Sequence, residues 1–385
     1  MIDYLSSKVA EYSVLIKLLE TEIQDLRSDS NVHTEIIDYF EQEVQELKQS
    51  HTKLKKIACI DNRDSYNVNF NARAVGIIRN IETKLLFIVH YYFPALLKEN
   101  DNDNFIRKII FDINDSCGLF WIKDILVSLD RPYAILPVFN EIPIIYAPMH
   151  QFNSLLGLPI FHHELGHSIF KQFGEIGENL NVVINDHFEL LKRSSGSLTP
   201  DQKNIRDQNI NSAIMYWNIE RLNEIFCDIF ATYVCGPANY YSNVDTAIKN
   251  GDIFNVFTHS PHPPWAVRVL ASYNTLQDDQ KSHEIVEIIK NSWEKQELTD
   301  HKHPIFDLYC SEELINKIIN QAVFDIEEKL AVKRCSKLID SSIEIENVNN
   351  FSIQEILNNG LHILLKDPKG YIPWESDIIS QLRSC

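Results

Sequence analysis

Proline distribution is the feature of this sequence that most strongly limits its fold. Most of the 14 prolines lie between Arg131 and Pro264, and the long stretches on either side contain almost none. Glycine is scarce too, with 11 residues in a chain of 385. Because proline and glycine interrupt regular helices, this pattern predicts a mainly α-helical protein with one irregular central region.

The flanks of that central region carry apolar residues at helical spacing. Residues 1–58 are predicted to form two helices, either a hairpin packed on the protein's own body or a coiled segment that binds a partner. Residues 72–99 and 105–130 are predicted to be helical as well. These patterns suggest three regions: a helical N-terminal region at 1–130, a central region at 131–275 and a helical C-terminal region at 276–385.

The central region combines short β-prone runs with helices. Residues 133–138 and 142–146 are apolar runs with prolines, which predicts irregular or edge strands. Helices are expected to follow at 153–173, at 178–193, at 201–235 and from Trp265 onward. The predicted fold class is therefore mainly α (α+β), with a small edge-type β-sheet between helical flanks.

The charge and the cysteines of the chain disfavour several classes of function. A formal net charge of −18 argues against binding to nucleic acid, whose phosphates would be repelled, and against docking on an anionic membrane. The seven cysteines are scattered and contain no CxxC pair, which fits reduced thiols better than a disulfide framework. Neither a signal peptide nor an apolar run of about 20 residues is visible, so we expect a cytoplasmic protein without membrane insertion.

The sequence His163-Glu164-Leu165-Gly166-His167 is the strongest chemical signal in the chain. At about 100° per residue, the two histidines lie one helical turn apart on the same face and could reach one zinc ion. Glu164 is then directed toward a water on the zinc, where a general base must be. The motif therefore predicts one zinc ion as cofactor, with His163 and His167 as ligands and Glu164 as the catalytic base.

A catalytic zinc needs a third protein ligand and one open position. Phe173 stands six residues after His167, so the third histidine of metzincins is absent. Glu224 and Asp228 lie one turn apart on a later, largely apolar helix, where unpaired carboxylates would be costly. Glu224 is predicted to be the third ligand. Asp228 is predicted to accept the second ring N–H of a ligand histidine and so to fix its tautomer.

The order of these motifs resembles the gluzincin metallopeptidases, and in particular the M48 family. The run from Ser260 to Leu270 is similar to the His-Pro-Pro…Arg signature that follows the third ligand in that family. The resemblance implies a zincin-like catalytic core at 131–275. M48 enzymes usually carry transmembrane helices and this sequence shows none, so the resemblance does not extend to their membrane-protein substrates.

The resemblance also implies roles for two further residues. His262 would lie near the zinc and stabilise the oxyanion, and His259 is a rival for that role. Arg268 would pair with acidic groups around the site. The N- and C-terminal helical regions have no recognised counterpart in the family.

The predicted function is a zinc-dependent metalloendopeptidase that acts on a protein or peptide substrate. Glu164 would take a proton from the attacking water and pass it to the leaving amine, while zinc and His262 stabilise the oxyanion. An extended substrate could pair with an edge strand in the 133–147 segment. The long helical flanks suggest regulation by a signal or by a protein partner, which the helical N-terminal region would bind.

Two other functions stay open. The chain could be a binding or scaffold protein that uses the zincin fold with little or no proteolytic activity. It could also be a zinc hydrolase that acts on other bonds, because the motif does not specify the bond that is cut. Four further side chains are weaker candidates for the site and are expected to be structural: His162, His187, Tyr216 and Tyr233.

Overall fold

A computed structural model describes most of the chain, and the described residues are mainly α-helical with one small β-sheet. The predicted fold class is confirmed at this level. The described residues are 2–28, 34–59, 68–89, 101–119, 125–128, 134–136, 144–146, 154–194, 199–256, 260–335, 348 and 351–384. Contacts divide the chain into two compact units, one formed by Met1–Glu99 with Ile122–Leu126 and the other by Asn100–Trp121 with Val127–Cys385. The three regions drawn from the sequence stay a prediction.

The first unit is built from three long helices, α1 (Ile2–Ser28), α2 (Thr34–Ala58) and α3 (Val68–Phe87). The two helices predicted within residues 1–58 are confirmed. Apolar side chains from the facing sides of α1 and α2 are buried between them, which is what their helical spacing requires. The part of the predicted 72–99 helix after residue 89 lies outside the described residues.

The remaining elements contain the candidate site. In chain order they are α4 (Asp101–Cys117), β1 (Leu126–Ser128), β2 (Ala134–Leu136), β3 (Ile144–Tyr146), a 3₁₀ turn (Leu155–Gly157), α5 (Pro159–Gln172), α6 (Gly174–Arg193), α7 (Pro200–Tyr216), α8 (Ile219–Cys235), α9 (Pro237–Asn250), α10 (Trp265–Thr275), α11 (Asp278–Lys281), α12 (Glu284–Glu297), α13 (Phe306–Tyr309), α14 (Glu312–Lys329), α15 (Ile353–Lys366) and α16 (Pro368–Ser384).

The sheet has the strand order β1-β3-β2, with β2 at an edge. β2 and β3 are antiparallel, and Ile135 lies opposite Ile145. Both β-prone runs of the central region therefore contain strands, as predicted. The edge position expected for the second run was wrong, because β3 lies between β1 and β2 among the described strands. The helix predicted at 105–130 was wrong in its second half, because α4 ends before Gly118, whose φ of 83° leaves the helical region, and residues 126–128 form β1.

The helix predicted at 201–235 was also wrong, because it is two helices separated at Trp217 and Asn218. Asn218 is the N-cap of α8, and its side chain accepts a hydrogen bond from the backbone N–H of Arg221 at 3.0 Å. The indole N–H of Trp217 donates to the carbonyl oxygen of Tyr309 at 2.7 Å and so fixes the bend. As a result, α8 begins a fresh turn just before the residues that build the site.

The motif helix α5 lies between the sheet and α8. Its contact with α8 is very close, since a Cβ atom added to Gly166 would lie 2.9 Å from Cα of Cys227. Pro159 stands at the first position of α5, where its missing N–H costs nothing, so this helix begins later than the predicted residue 153. Among the described residues, no helix is both long and apolar enough to cross a membrane.

Candidate metal centre

The two motif histidines lie on the buried face of α5, opposite Glu224 of α8. Nε2 of His163 lies 3.4 Å from Oε2 of Glu224, and Nε2 of His167 lies 3.6 Å from Oε1 of Glu224. Oε2 is buried and has no hydrogen-bond partner among the described residues. The sequence therefore brings two imidazoles and one carboxylate to a single point, with a buried acceptor left unfilled there.

Asp228 lies one turn after Glu224 and holds the far side of His163. Oδ1 of Asp228 is 3.0 Å from Nδ1 of His163. Arg268 donates to both oxygens of the carboxylate, from Nε to Oδ2 at 2.6 Å and from Nη2 to Oδ1 at 2.9 Å. Asn243 donates to Oδ1 at 3.3 Å. Because Nδ1 of His163 is directed to Asp228, its Nε2 is directed to Glu224.

The charges of this cluster shift its pKa values in opposite directions. Burial lowers the pKa of His163, but the negative charge of Asp228, the hydrogen bond to that residue and the nearby carboxylate of Glu224 outweigh burial and raise it to about 9. Burial raises the pKa of Glu224, but His163, Arg268 and His167 together lower it to about 2. The pKa of His167 falls to about 4, mainly because the ring is buried. Glu224 is therefore ionised and His167 neutral near pH 7.

Cys227 packs beside His167 and contacts its other ring nitrogen. Sγ lies 3.3 Å from Nδ1 of His167, and the thiol donates to Oδ1 of Asn223 at 3.4 Å. Burial raises the pKa of this thiol well above its usual range. His163, His167 and Cys227 offer ligand atoms that lie within 4.8 Å of one another, so this group could hold a metal ion.

His262 reaches the same point from the loop before α10. Its Nε2 lies 3.5 Å from Oε2 of Glu224, and the side chain is about half exposed. Oγ of Ser260 accepts the backbone N–H of His262 at 3.1 Å and lies 3.0 Å from Nδ1 of the ring. Donation of the hydroxyl proton to Nδ1 leaves the imidazole proton on Nε2, which faces the centre. The rival His259 lies outside the described residues.

Glu164 faces an open cleft together with both histidines. The cleft has a volume of about 920 Å³ and is lined by α5, the first half of α6, the start of α8 and His262. Burial raises the pKa of Glu164 above its ordinary value. None of the described strand residues lines this cleft, so pairing of a substrate with the 133–147 segment stays a prediction.

The four weaker candidates lie away from the centre. His162 is fully buried, with no hydrogen-bond partner for either ring nitrogen among the described residues. His187 lies on α6 beside Lys317. The ring of Tyr216 stacks under a guanidinium group, and the hydroxyl of Tyr233 donates to a carboxylate of α14. None of the four lines the cleft.

Sequence reasoning missed four residues that support the centre: Cys227, Asn243, Ser260 and Arg221. Arg221 is buried, one turn before Glu224, and its Nη2 donates to the carbonyl oxygen of Ser260 at 2.8 Å. A charged residue on the apolar side of a helix was a usable signal for Arg221. Asn243 and Ser260 gave no such signal, because a lone polar residue is common on any helix or loop.

Comparisons of the chain with protein-family models, with curated proteins and with solved structures gave no match. The chemistry of the centre is therefore inferred from its own side chains and their geometry. Those side chains come from two packed helices, α5 and α8, from α10 and from the loop before α10. Both motif histidines and His262 lie within 3.6 Å of the carboxylate oxygens of Glu224.

Proposed function

We propose that this protein is a zinc-dependent metalloendopeptidase. The observation that carries the proposal is the convergence of His163, His167 and Glu224 beside Glu164 on an open cleft. Two ring nitrogens and one ionised oxygen are a common ligand set of catalytic zinc, which keeps one position open to solvent. The presence of a carboxylic base at that opening favours hydrolysis over a structural role.

The donor atoms fit a zinc ion in their spacing. Zinc bonds of about 2.0–2.1 Å in a tetrahedron place neighbouring ligand atoms about 3.3–3.4 Å apart. The two histidine–glutamate separations are 3.4 and 3.6 Å. Oε2 of Glu224 is buried and makes no hydrogen bond among the described residues, and a bound cation would satisfy it. His163 carries the proton that the metal must displace.

Cys227 is the competing third ligand. We favour Glu224, because the thiol of Cys227 lies at Nδ1 of His167, whereas Nε2 of the same ring points to Glu224. A buried thiol whose pKa is raised stays protonated, and only the thiolate is a strong zinc ligand. Cys227 instead accepts the Nδ1–H of His167 and orients the ring.

Five of the chain's own side chains take part in the proposed chemistry. When bound, zinc would supply a Lewis acid for the scissile carbonyl and lower the pKa of a water molecule. The carboxylate of Glu164 takes a proton from the attacking water and gives it to the leaving amine. Nε2–H of His262 donates to the carbonyl oxygen as negative charge develops there. Arg268 donates to Asp228, and Asp228 holds His163 in the orientation that zinc binding would require.

The M48 resemblance is supported by the roles that this geometry allows. His262 reaches the centre and Arg268 pairs with a buried carboxylate, as the resemblance implies.

A scaffold protein with a structural metal is the second candidate function, and the open cleft beside Glu164 argues against it. A zinc hydrolase that acts on bonds other than peptide bonds is the third candidate function. Regulation by a partner through the N-terminal helices stays a prediction.

The test compares the wild-type protein with the variant Glu164→Gln, and uses Glu189→Gln as a matched control. Glu189 lies on the exposed side of α6 outside the cleft. We expect about one zinc ion in all three proteins, and a loss of cleavage of unfolded protein substrates by about 10²-fold or more in Glu164→Gln alone. Equal cleavage by wild type and Glu164→Gln would remove the catalytic assignment. Zinc without any cleavage would favour the scaffold function.

A further inference from the structure

One wall of the cleft presents an apolar side chain to water. Ile219 is the first residue of α8, lines the cleft and is 57% exposed. Phe170 and Leu222 line the same part of the cleft and are buried behind it. Covering an exposed isoleucine at the edge of a cleft with an apolar group removes apolar surface from water, which favours binding of that group.

The backbone of α6 closes this apolar wall. A Cβ atom at Gly177 would lie 2.8 Å from Cδ1 of Ile219 and 3.0 Å from Cζ of Phe170. The absence of a side chain at Gly177 therefore lets both apolar groups reach α6. Ile219 precedes Glu224 by five positions, which is about 7.5 Å along the helix axis. An extended peptide rises about 3.3 Å per residue, so this distance corresponds to about two substrate residues.

The rim of the cleft carries carboxylates that have no ion-pair partner among the described residues, namely Glu178 and Glu220. Other glutamates of α6 are paired, Glu175 with Lys329 at 2.7 Å and Glu189 with Lys192 at 2.9 Å. Glu175 and Glu189 lie outside the cleft. Lys171 also lines it, so the rim carries more negative than positive charge.

We propose that this cleft selects peptide segments with an apolar side chain within about two residues of the scissile bond and a basic side chain beside it. The proposal rests on the proposed peptidase function. Ile219, backed by Phe170, would contact the apolar side chain. Glu178 and Glu220 would attract the basic one. In the reaction water adds across the amide bond, which gives a carboxylate and an amine.

The test uses three quenched fluorescent peptides of equal length. The first has a central leucine with arginine neighbours, the second replaces leucine by alanine, and the third replaces arginine by glutamate. We expect kcat/KM of the zinc-loaded protein to be about tenfold higher for the first peptide than for either of the others at low salt. Equal cleavage of all three peptides would overturn the inference and leave the peptidase function standing.

Two variants separate the apolar and the acidic contributions. Ile219→Ser should bring the leucine-to-alanine ratio close to one without changing the preference for arginine. The double variant Glu178→Lys, Glu220→Lys should lower the arginine-to-glutamate ratio by about fivefold or more at low salt. Glu189→Lys, on the same helix but outside the cleft, is the matched control and should change neither ratio. Unchanged ratios in the cleft variants would overturn the inference.

Binding to the zinc-loaded variant Glu164→Gln, followed by fluorescence anisotropy, separates this inference from the proposed function. The same order of affinities without cleavage by the wild type would remove the peptidase function and keep the selectivity. Neither cleavage nor binding of any of the three peptides would overturn both.

Discussion

Arg268 and His163 share one buried carboxylate, that of Asp228. The guanidinium group donates to both oxygens, at 2.6 and 2.9 Å, and Oδ1 also lies 3.0 Å from Nδ1 of His163. Burial raises the pKa of Asp228, but Arg268 and His163 outweigh it and hold that pKa well below its ordinary range. The carboxylate is therefore ionised, and it directs the imidazole of His163 toward Glu224 and the candidate metal centre.

Asp228→Asn should weaken zinc binding. The amide can still occupy the space, but it loses the charge that orients and polarises His163, so we expect the affinity for zinc to fall about 10- to 100-fold. Competition with a fluorescent chelator measures this change. Asp245→Asn is a control on α9, where Asp245 forms an exposed pair with Lys249. An unchanged zinc affinity in Asp228→Asn would show that the carboxylate has no part in holding the metal.

Cys227 should orient a ligand rather than bind the metal. We expect the cobalt-substituted protein to lack the strong thiolate charge-transfer absorption in the near ultraviolet. Cys227→Ser should keep the cobalt spectrum, because a hydroxyl also accepts the Nδ1–H of His167. Cys227→Val cannot accept it, and should lower the metal affinity about tenfold. A thiolate band that disappears in Cys227→Ser would instead identify Cys227 as a ligand.

Gly166→Ala should destabilise the pair of α5 and α8. The new Cβ would lie 2.9 Å from Cα of Cys227, and backbone atoms cannot move aside as a flexible side chain can. We expect a loss of about 1–3 kcal/mol in the free energy of unfolding, measured in urea, and a weaker affinity for zinc. Gly76→Ala in α3 is the matched control.

No described atom lies within 4 Å of a Cβ at Gly76. That substitution should leave the stability unchanged or raise it by up to about 1 kcal/mol, since alanine favours a helix. Equal effects of the two substitutions would mean that close helix packing does not require glycine at position 166.

His162 should make the protein sensitive to mild acid. Burial lowers its pKa to about 3, whereas an unfolded histidine titrates near about 6.5. Between these values the unfolded chain binds a proton that the folded chain does not. Stability should therefore fall as the pH drops below about 6.5, by about 1.4 kcal/mol per pH unit from this group.

Urea unfolding at several pH values between 7 and 5 checks this dependence. His162→Phe should lower the number of protons taken up on unfolding by about one. The control is His301→Gln, at an exposed histidine, which should leave the slope of stability against pH unchanged. A pH slope that is the same in wild type and His162→Phe would contradict the argument.

The sequence predicted the two helices within residues 1–58 and the presence of two strands in the central region, because periodicity and proline positions are local signals. It failed at Trp217 and Asn218, where apolar spacing continues across the break. Asn218 can either continue the helix or cap a new one. The hydrogen bond from Trp217 to Tyr309, 92 positions away, stabilises the break and the new helix. Sequence reasoning has no access to such a distant partner.

For the candidate site, the two histidines of α5 and the two carboxylates of α8 lie together because they occupy helix positions that the sequence spacing already defined. The spacing of His163 and His167, and that of Glu224 and Asp228, places each pair on one helical face. The supporting contacts are different. From the sequence alone, Cys227 is predicted to be a buried core residue. Its sulfur contacts His167 only because α8 packs closely against α5 at Gly166.

The order in which the centre can form follows from the contact between Gly166 and Cys227. His163 and Asp228 are 65 positions apart in the chain, so chance encounters in the unfolded state are rare. The histidines meet Glu224 only after α5 and α8 have docked. If a metal ion binds this centre, it would therefore bind late, after the helices have docked, and would stabilise a fold that has already formed rather than nucleate it.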